Sequence, residues 1–438
     1  MMDAAQFRLY GGVNVIGGTK LHVDSGDGQV LFDFGATFSP GLCAFDHVLK
    51  PRPFREVEDN LAIGMAPDLP GIYKGAAQLS TLSVFISHFH LDHVGLLSLL
   101  DRRVPIYMSE ASRRLLRELE VIGEGIGEHD DMHVFVYGEK VVLGNLEITP
   151  LPVDHDIPGA TGFVVTTPSG TLAYTGDFRG HGLHPELTTA FFDRLGETGI
   201  QALVSEGTRA GEDPAFPAQS EAEVAEGVLR VSERRRSHVF FTVYNRNIER
   251  ISAFAAVGRD LSRQLVLSPE TYHLFRTLAP QAYATARPAV FQLHRHGMEG
   301  LPAYIDNQAV AVTADDIARA PDAFLVELPY HALSELVDIK PVSGSIYIHS
   351  DGVPLGAYDP AFANLKSWLK HFGVELAFVR SSGHASPSFL SECVTRAQPD
   401  ILYATHTLHP EQMPSPPSGM LVLPHLHRSY AIGRPGGH

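Results

Sequence analysis

Cysteine is almost absent from the sequence, which has only Cys43 and Cys393 among its 438 residues. The two form no CxxC pair, which argues against a cysteine-rich zinc module and suits a reducing compartment, so we expect a cytoplasmic protein. The sequence also lacks an apolar run of about 18 residues, and we therefore expect no membrane span. Residues 1–12 contain neither a basic segment nor an apolar core, so we expect no signal peptide.

Positively charged residues are also fewer than negatively charged ones. Lysine and arginine total 34 against 50 aspartates and glutamates, which gives a formal net charge of −16. A protein that coats nucleic acid through its general field would be basic. An acidic chain needs bound metal ions or a local basic groove to hold a polyanion. The net negative charge therefore argues against a nucleic-acid-binding protein unless a specific binding site compensates for it.

The sequence pattern changes twice along the chain. Short aliphatic runs closed by Gly, Pro or Asp dominate residues 1–207 and predict strands. From about residue 220, helical and strand patterns alternate, which indicates a mostly parallel sheet. The first pattern returns after about residue 360. We therefore predict an α/β protein in which a β-rich domain, residues 1–207 and 361–438, is interrupted by an inserted α/β domain at 208–360.

Residues 36–80 form a long connection that is rich in proline and glycine and contains KPRPF and DLPGIYKG. Connections of this length are unusual in compact domains and often form a wall or lid of a site. The other interpretation is a surface excursion with a short helix of its own. The sequence favours neither one.

The strongest signal is SHFHLDH, residues 87–93, directly after the strand-like run TLSVFI. It supplies His88, His90, Asp92 and His93, and imidazole and carboxylate ligands suit zinc or manganese. At the end of a strand, His88 and His90 point to the same side. Where the chain then turns into a helix, Asp92 and His93 can face a neighbouring point. Four ligands in so short a segment indicate two metals rather than one.

Three more candidate residues lie at the ends of strand-like runs. His155 follows LEITPLPVD, Asp177 ends TLAYTGD, and Asp33 lies in VLFDFG. His155 and Asp177 are candidates to complete the metal shells, and Asp177 can bridge two metals because a carboxylate has two oxygens. Asp33 is a candidate for the outer layer, where it would accept the second ring N–H of a ligand histidine.

In this order, Asp33, the cluster at 88–93, His155 and Asp177 resemble the signature of the metallo-β-lactamase superfamily. The resemblance implies an αββα sandwich with its site at the ends of strands. The superfamily includes lactonases, thioesterases, β-lactamases and nucleases. Membership alone therefore leaves the activity open.

Three late residues extend the resemblance. Glu206 ends the run LVSE, His384 lies in SSGHAS, and His406 lies in ATHTLHPE. This trio resembles the added motifs of the β-CASP nucleases, and residues 245–251 (NRNIERI) resemble the domain inserted in that family. The resemblance covers essentially the whole chain, and the chain looks most like RNase J-like and archaeal β-CASP ribonucleases. It implies a metallo-β-lactamase sandwich with an inserted β-CASP domain.

The resemblance also implies two divalent metal ions, with zinc expected first and manganese as the alternative. The implied ligands of the first metal are His88, His90, His155 and Asp177, and those of the second are Asp92, His93, Asp177 and His406. Hydrolysis would use a metal-bridged hydroxide whose proton Asp92 steers. His384 would stabilise charge on the phosphate or on the leaving 3′-oxygen, and Glu206 would fix the tautomer of a ligand histidine.

A histidine at the last motif, here His406, accompanies RNA substrates in this family, whereas the DNA-repair branch usually carries an aliphatic residue. The expected function is therefore hydrolysis of single-stranded RNA, with exonucleolytic and endonucleolytic modes both open. The alternatives are a DNA-directed nuclease and a metallohydrolase of small esters, thioesters or lactones. A non-catalytic nucleic-acid-binding or scaffold protein on the same fold is a further alternative. We also allow for a homodimer.

Two short segments are candidates to cradle a 5′-phosphate through backbone N–H groups. Those groups belong to Ser343, Gly344, Ser382 and Gly383. Arg246 and Arg250, four residues apart, are candidates to share a helix face near the substrate. An ordinary solvated helix face is the simpler interpretation of these two arginines.

Overall fold

The computed structural model describes residues 5–37, 42, 44–45, 49–213, 219–294, 300–356 and 359–433. The chain divides into two compact units. The first unit consists of Met1–Leu116, Ile126–Ala218 and Gly383–His438, and the second consists of Arg117–Gly125 and Gln219–Ser382. Among the described residues, no helix is long and apolar enough to span a lipid bilayer.

The first unit contains two seven-stranded sheets. The strands of the first sheet, in spatial order, are β21 (Ser429–Ala431), β1 (Gln6–Gly11), β2 (Lys20–Asp24), β3 (Gln29–Phe32), β4 (Ser83–Phe85), β5 (Ile106–Met108) and β6 (Met132–Val134). Those of the second are β20 (Met420–Val422), β19 (Ile401–Thr405), β11 (Ala202–Glu206), β10 (Gly170–Tyr174), β9 (Thr161–Thr167), β8 (Leu146–Pro152) and β7 (Val141–Leu143).

The described helices of the chain are α1 (Glu56–Ala62), α2 (Leu91–Val94), α3 (Glu110–Val121), α4 (Pro185–Thr198), α5 (Glu221–Ser232), α6 (Ile248–Asp260), α7 (Pro269–Leu278), α8 (Pro280–Ala286), α9 (Ala314–Arg319), α10 (Leu336–Ile339), α11 (Pro360–His371) and α12 (Pro387–Ala397). Short 3₁₀ helices span Leu97–Leu99, Tyr330–Glu335 and Pro410–Gln412. Helix α12 begins at Pro387, and the Ser386 side chain accepts the N–H of Phe389 and thereby caps the first turn.

The two sheets of the first unit pack face to face through aromatic side chains. The ring of Phe32 on β3 lies 4.9 Å from that of Phe163 on β9, and the ring of Phe7 on β1 lies 4.8 Å from that of Tyr403 on β19. Helices α4 and α12 bury apolar residues against the outer face of the second sheet. The expected α/β class and sandwich fold are therefore confirmed.

The second unit contains a third sheet of seven strands, all of which run parallel. In spatial order its strands are β15 (Ala311–Val312), β14 (Ala289–Phe291), β13 (Gln264–Leu267), β16 (Phe324–Glu327), β12 (Val239–Val243), β17 (Ile346–Ser350) and β18 (Glu375–Phe378). Every residue of β12 and β17 is buried, as expected for central strands covered on both faces. The mostly parallel sheet predicted after residue 220 is confirmed.

The predicted return to the first domain at residue 361 is wrong for residues 361–382. Strand β18 pairs in parallel with β17, and α11, which contains Trp368, packs within the core of the second unit. A helix followed by a strand fits either unit, and the sequence does not show which sheet accepts the strand. The first unit resumes at Gly383.

The long connection at 36–80 is partly described, because residues 38–41, 43 and 46–48 lie outside the described residues. It does contain a short helix, α1. Beyond that helix, Ile72 and Tyr73 are buried, and the Tyr73 hydroxyl donates to the carbonyl oxygen of Pro67. This later part therefore packs into the first unit. A role for the connection as a lid stays a prediction.

A fully buried arginine, Arg250, donates hydrogen bonds to several segments of the second unit. Arg250 on α6 donates to both carboxylate oxygens of Glu221 on α5, and the two side chains are 0% and 2% exposed. Its other donors reach Ser350 at the end of β17 and the carbonyl oxygen of Ser381. The side chain is therefore neither on a solvated helix face nor free for substrate.

Replacing Arg250 with alanine should lower the free energy of unfolding of the second unit by about 3–5 kcal/mol, because it leaves the Glu221 carboxylate buried without its counter-charge. Trp368, the single tryptophan, lies in this unit, so tryptophan fluorescence during urea unfolding reports on it. Arg259→Ala, at an exposed position of the same helix, is the matched control and should change stability by less than about 0.5 kcal/mol. Equal effects of the two substitutions would contradict the buried-pair interpretation.

Candidate metal centre

The predicted site residues of the first unit lie at the ends of its strands. Strands β10, β11 and β19 run parallel side by side, so their carboxyl ends meet at one edge of the second sheet. Asp177 follows β10, Glu206 ends β11, and His406 follows β19. His155 follows β8 in the same sheet, and His88 follows β4 in the first.

Asp33 and Ser87 fix the outer ring nitrogens of two histidines. Nδ1 of His93 lies 2.8 Å from Oδ2 of Asp33, and Nδ1 of His88 lies 3.0 Å from Oγ of Ser87. Asp33 is fully buried and also accepts the N–H and hydroxyl of Ser87 and the hydroxyl of Tyr174. Each histidine therefore presents Nε2 to the centre.

Two further histidines are oriented in the same way by distant segments of the chain. Nδ1 of His155 lies 2.6 Å from the carbonyl oxygen of Gly383, and Nδ1 of His406 lies 2.8 Å from Oγ1 of Thr208. Their Nε2 atoms are thereby turned inward. A side chain at Gly383 would meet His155, because an added Cβ would lie 2.7 Å from the imidazole ring.

The first group of inward atoms is formed by three histidines and one carboxylate. Nδ1 of His90 lies 3.1 Å from Nε2 of His88 and 3.1 Å from Nε2 of His155. Nε2 of His88 lies 3.7 Å from Oδ2 of Asp177. All four potential ligand atoms lie within 4.8 Å of one another.

The second group shares Asp177 with the first. Nε2 of His93 lies 3.1 Å from Oδ2 of Asp177, and Nε2 of His406 lies 3.5 Å from the same oxygen. Oδ2 of Asp92 lies 3.0 Å from Nε2 of His406. The structure therefore brings together all seven predicted ligands in two groups, with Asp177 in both.

The donor set fits divalent metal ions. Ligand atoms bonded to one tetrahedral zinc at about 2.1 Å lie roughly 3.4 Å apart, which is close to the spacings in both groups. Among the described residues, the buried atoms Nε2 of His93 and Oδ2 of Asp177 have no hydrogen-bond partner of normal geometry. Buried polar atoms are rarely left in this state without a ligand. Imidazole and carboxylate donors suit zinc or manganese.

Burial and charge act in opposite directions on the pKa values of the histidines. Burial lowers the pKa of His88 well below its usual value and lowers the pKa of His155 to about 4, so both are neutral and ready to bind a metal. Burial would also lower the pKa of His93, but the carboxylates of Asp177, Asp92 and Asp33 raise it well above its usual value. His93 is therefore the histidine that must lose a proton when a metal binds.

His384 lies beside both groups. Its Nδ1 is 3.4 Å from Oε2 of Glu206 and 3.8 Å from Oδ2 of Asp177, and its side chain is 19% exposed. Glu206 also accepts the N–H groups of Thr208 and Ala385, which ties the ends of two loops to one carboxylate. Helix α12 is capped by Ser386, so His384 does not serve as its cap.

The loop between β1 and β2 also contributes to the centre, although no sequence pattern indicated it. The N–H groups of Gly18 and Thr19 donate to the carbonyl oxygen of Asp92, and the carbonyl oxygen of Gly12 accepts the N–H of His406. An added Cβ at Gly17 would lie 2.6 Å from Oδ2 of Asp92, so this close approach requires glycine. Ser87 is the first residue of the segment SHFHLDH, whereas Thr208 lies two residues after Glu206, outside any predicted motif.

The two candidate phosphate-binding segments have different surroundings. Ser343 and Gly344 precede β17, and the carbonyl oxygen of Gly344 accepts the Ser237 hydroxyl. Phosphate binding by the backbone N–H groups of Ser343 and Gly344 stays a prediction. The carbonyl oxygen of Gly383 faces His155.

Arg246 is buried and does not lie on a solvated helix face. Its side chain is 3% exposed, and its guanidinium lies 3.3 Å from Glu124. Substrate contacts of Arg246 and of the backbone N–H groups at Ser382 and Gly383 stay predictions.

Comparison with known proteins agrees with this geometry. Residues 69–216 match the family model described as a beta-lactamase superfamily domain. Ribonuclease J of Pyrococcus abyssi is 24% identical over 90% of this chain and 88% of its own length. Ribonuclease J of Sinorhizobium meliloti is 24% identical over 78% of this chain, and that of Thermus thermophilus is 26% identical over 73%. The chain is therefore similar to RNase J-like β-CASP proteins of the metallo-β-lactamase superfamily.

The alignments span 61% and 57% of the lengths of the Sinorhizobium and Thermus relatives. A solved structure described as a protein of unknown function from Enterococcus faecalis V583 covers 98% of the chain with a TM-score of 0.79 and 25% identity. That structure matches over its whole length, so its fold is similar to that of this chain throughout.

Zinc affinity should fall as the pH falls from 8 to 6, because protons compete for His93. If one proton is displaced for each metal, the affinity changes by about tenfold per pH unit. Isothermal titration calorimetry in two buffers of different ionisation enthalpy counts the displaced protons. An affinity that is constant across this range, with no proton released, would contradict the assignment of His93 as a protonated ligand.

Proposed function

We propose that this chain is a two-metal-dependent ribonuclease that hydrolyses phosphodiester bonds of single-stranded RNA. The observation that carries the proposal is the pair of ligand groups that share Oδ2 of Asp177, with His384 3.8 Å from the same oxygen. The relatives named ribonuclease J support RNA as the substrate class. A cytoplasmic location and a homodimer belong to the same proposal and rest on the sequence.

The two ligand groups would hold two divalent metal ions, with zinc expected first and manganese as the alternative. When bound, the two metals would supply a hydroxide nucleophile near neutral pH and neutralise charge on the scissile phosphate. The positive charges of the two metal ions would also offset the negative charge of the chain at the site where RNA binds. A net charge of −16 is therefore compatible with an RNA substrate.

His384 is the residue best placed to act on the substrate. Burial alone would lower the pKa of His384, but Glu206 and Asp177 raise it to about 9. Its side chain is 19% exposed, so the imidazole can reach a bound phosphate. His384 would donate a hydrogen bond to a non-bridging oxygen or to the leaving 3′-oxygen, where negative charge develops.

Glu206 and Asp92 would support this reaction in two different ways. Glu206 is 1% exposed and lies 3.4 Å from Nδ1 of His384, so it fixes the orientation of that ring. The Asp92 side chain is 21% exposed, compared with 2% for Asp177. Asp92 is therefore the more open carboxylate and would accept the proton of the nucleophile.

The direct test uses matched single-stranded RNA and DNA with a 5′-monophosphate or a 5′-hydroxyl, labelled at either end. The protein loaded with zinc or manganese should cleave RNA, and His384→Ala should lower kcat by about 10²–10³-fold, because one donor to the developing charge is lost. The metal content of the variant should be unchanged. Released mononucleotides would indicate exonucleolytic cleavage, and internal fragments would indicate endonucleolytic cleavage.

The control is His133→Ala, which removes an exposed histidine paired with Asp131 outside both ligand groups and should leave the rate unchanged. Intact RNA in the presence of protein that holds two metals would contradict the proposal. Cleavage of esters or thioesters with no dependence on His384 would instead support a small-molecule hydrolase.

A further inference from the structure

Asp156, which follows His155 in the sequence, has an unexplained buried oxygen. Its side chain is 10% exposed. Oδ1 has no hydrogen-bond partner among the described residues. A buried carboxylate oxygen in this state costs free energy unless a donor or a cation satisfies it.

Oδ1 of Asp156 lies beside two candidate ligands of the first metal. It is 3.4 Å from Nε2 of His90 and 3.2 Å from Nε2 of His155. The His90 nitrogen that faces the ligand group is Nδ1, so the nitrogen beside Asp156 is the outer one. Asp156 is not part of either ligand group, which places it next to the first group rather than in it.

The other four histidines of the two groups each have an acceptor for the outer nitrogen. These acceptors are Ser87, Asp33, Gly383 and Thr208, for His88, His93, His155 and His406 respectively. At His90 the oxygen in the corresponding position is Oδ1 of Asp156, at the longer separation of 3.4 Å. His90 is also the one histidine that turns Nδ1 inward, so it needs an acceptor near Nε2.

The surroundings of Asp156 hold its carboxylate close to this position. An added Cβ at Gly383 would lie 2.8 Å from Oδ1 of Asp156. The carboxylate is therefore confined between the backbone at Gly383 and the histidine rings.

We propose that Asp156 is a positioning residue of the first metal site, whose carboxylate accepts Nε2–H of His90 and holds Nδ1 toward the metal. The two metal sites would then each have one histidine oriented by an aspartate, namely His93 by Asp33 and His90 by Asp156. This inference rests on the proposed metal centre. It assigns a role to a residue that the ligand groups do not contain.

The test is a titration of zinc against a competing chelator, which resolves the binding steps of the unmodified chain and its variants. Asp156→Ala should weaken one step by about 10–100-fold, because outer-shell acceptors have effects of this size on metal affinity. Asp156→Asn keeps an oxygen acceptor and should lose less than about tenfold. The step assigned to the other group should change less than twofold.

A double-mutant cycle with His90→Ala separates positioning from a general structural role. If Asp156 acts through His90, Asp156→Ala should weaken binding less than about twofold in the His90→Ala background. Asp131→Ala is the matched control, because it removes an aspartate from an exposed histidine pair outside both groups. Circular dichroism confirms folding, and if Asp156→Ala does not fold, the same cycle is run with Asp156→Asn.

Three outcomes overturn the inference. Zinc affinity within twofold of the unmodified chain in Asp156→Ala would show that His90 needs no such acceptor. An equal loss with and without His90 would show that Asp156 acts elsewhere. Unmodified chain that binds no zinc would overturn the metal centre as well, and this result is distinguishable because it is measured before any substitution.

Discussion

The candidate centre depends on one buried carboxylate oxygen, Oδ2 of Asp177, at the carboxyl end of β10. Nitrogens of His88, His93, His406 and His384 lie within 3.1–3.8 Å of it. Both sheets contribute imidazoles to this oxygen, because His88 and His93 follow β4 of the first sheet and His406 follows β19 of the second. Helix α12, capped by Ser386, begins three residues after His384.

The ligands could be predicted from the sequence because most of their side chains lie in short, recognisable segments. Residues 87–93 (SHFHLDH) contain four donor side chains, and His155 and Asp177 follow recognisable strands. The resemblance to β-CASP nucleases added Glu206, His384 and His406, which no local pattern connects to the rest. The outer acceptors were harder to find. Gly383 contributes a carbonyl oxygen and Thr208 a hydroxyl, and neither group has a sequence signature.

The errors have physical causes. Strand β18 joins the sheet of the second unit because its backbone pairs with β17, and a helix–strand pattern carries no information about its partner. Arg246 and Arg250 have helical spacing that suits a surface, yet acidic partners allow both side chains to be buried. Partner residues distant in sequence decide each of these cases.

The most direct test of the account is a crystal structure of the zinc-loaded protein with anomalous data at the zinc edge. The account predicts two peaks, about 3.5–4 Å apart, that share Oδ2 of Asp177 as a ligand. Nδ1 of His90 and Nε2 of the other four ligand histidines would complete the two shells. A single peak, or two peaks that do not share Asp177, would contradict the two-metal centre on which the proposed ribonuclease activity rests.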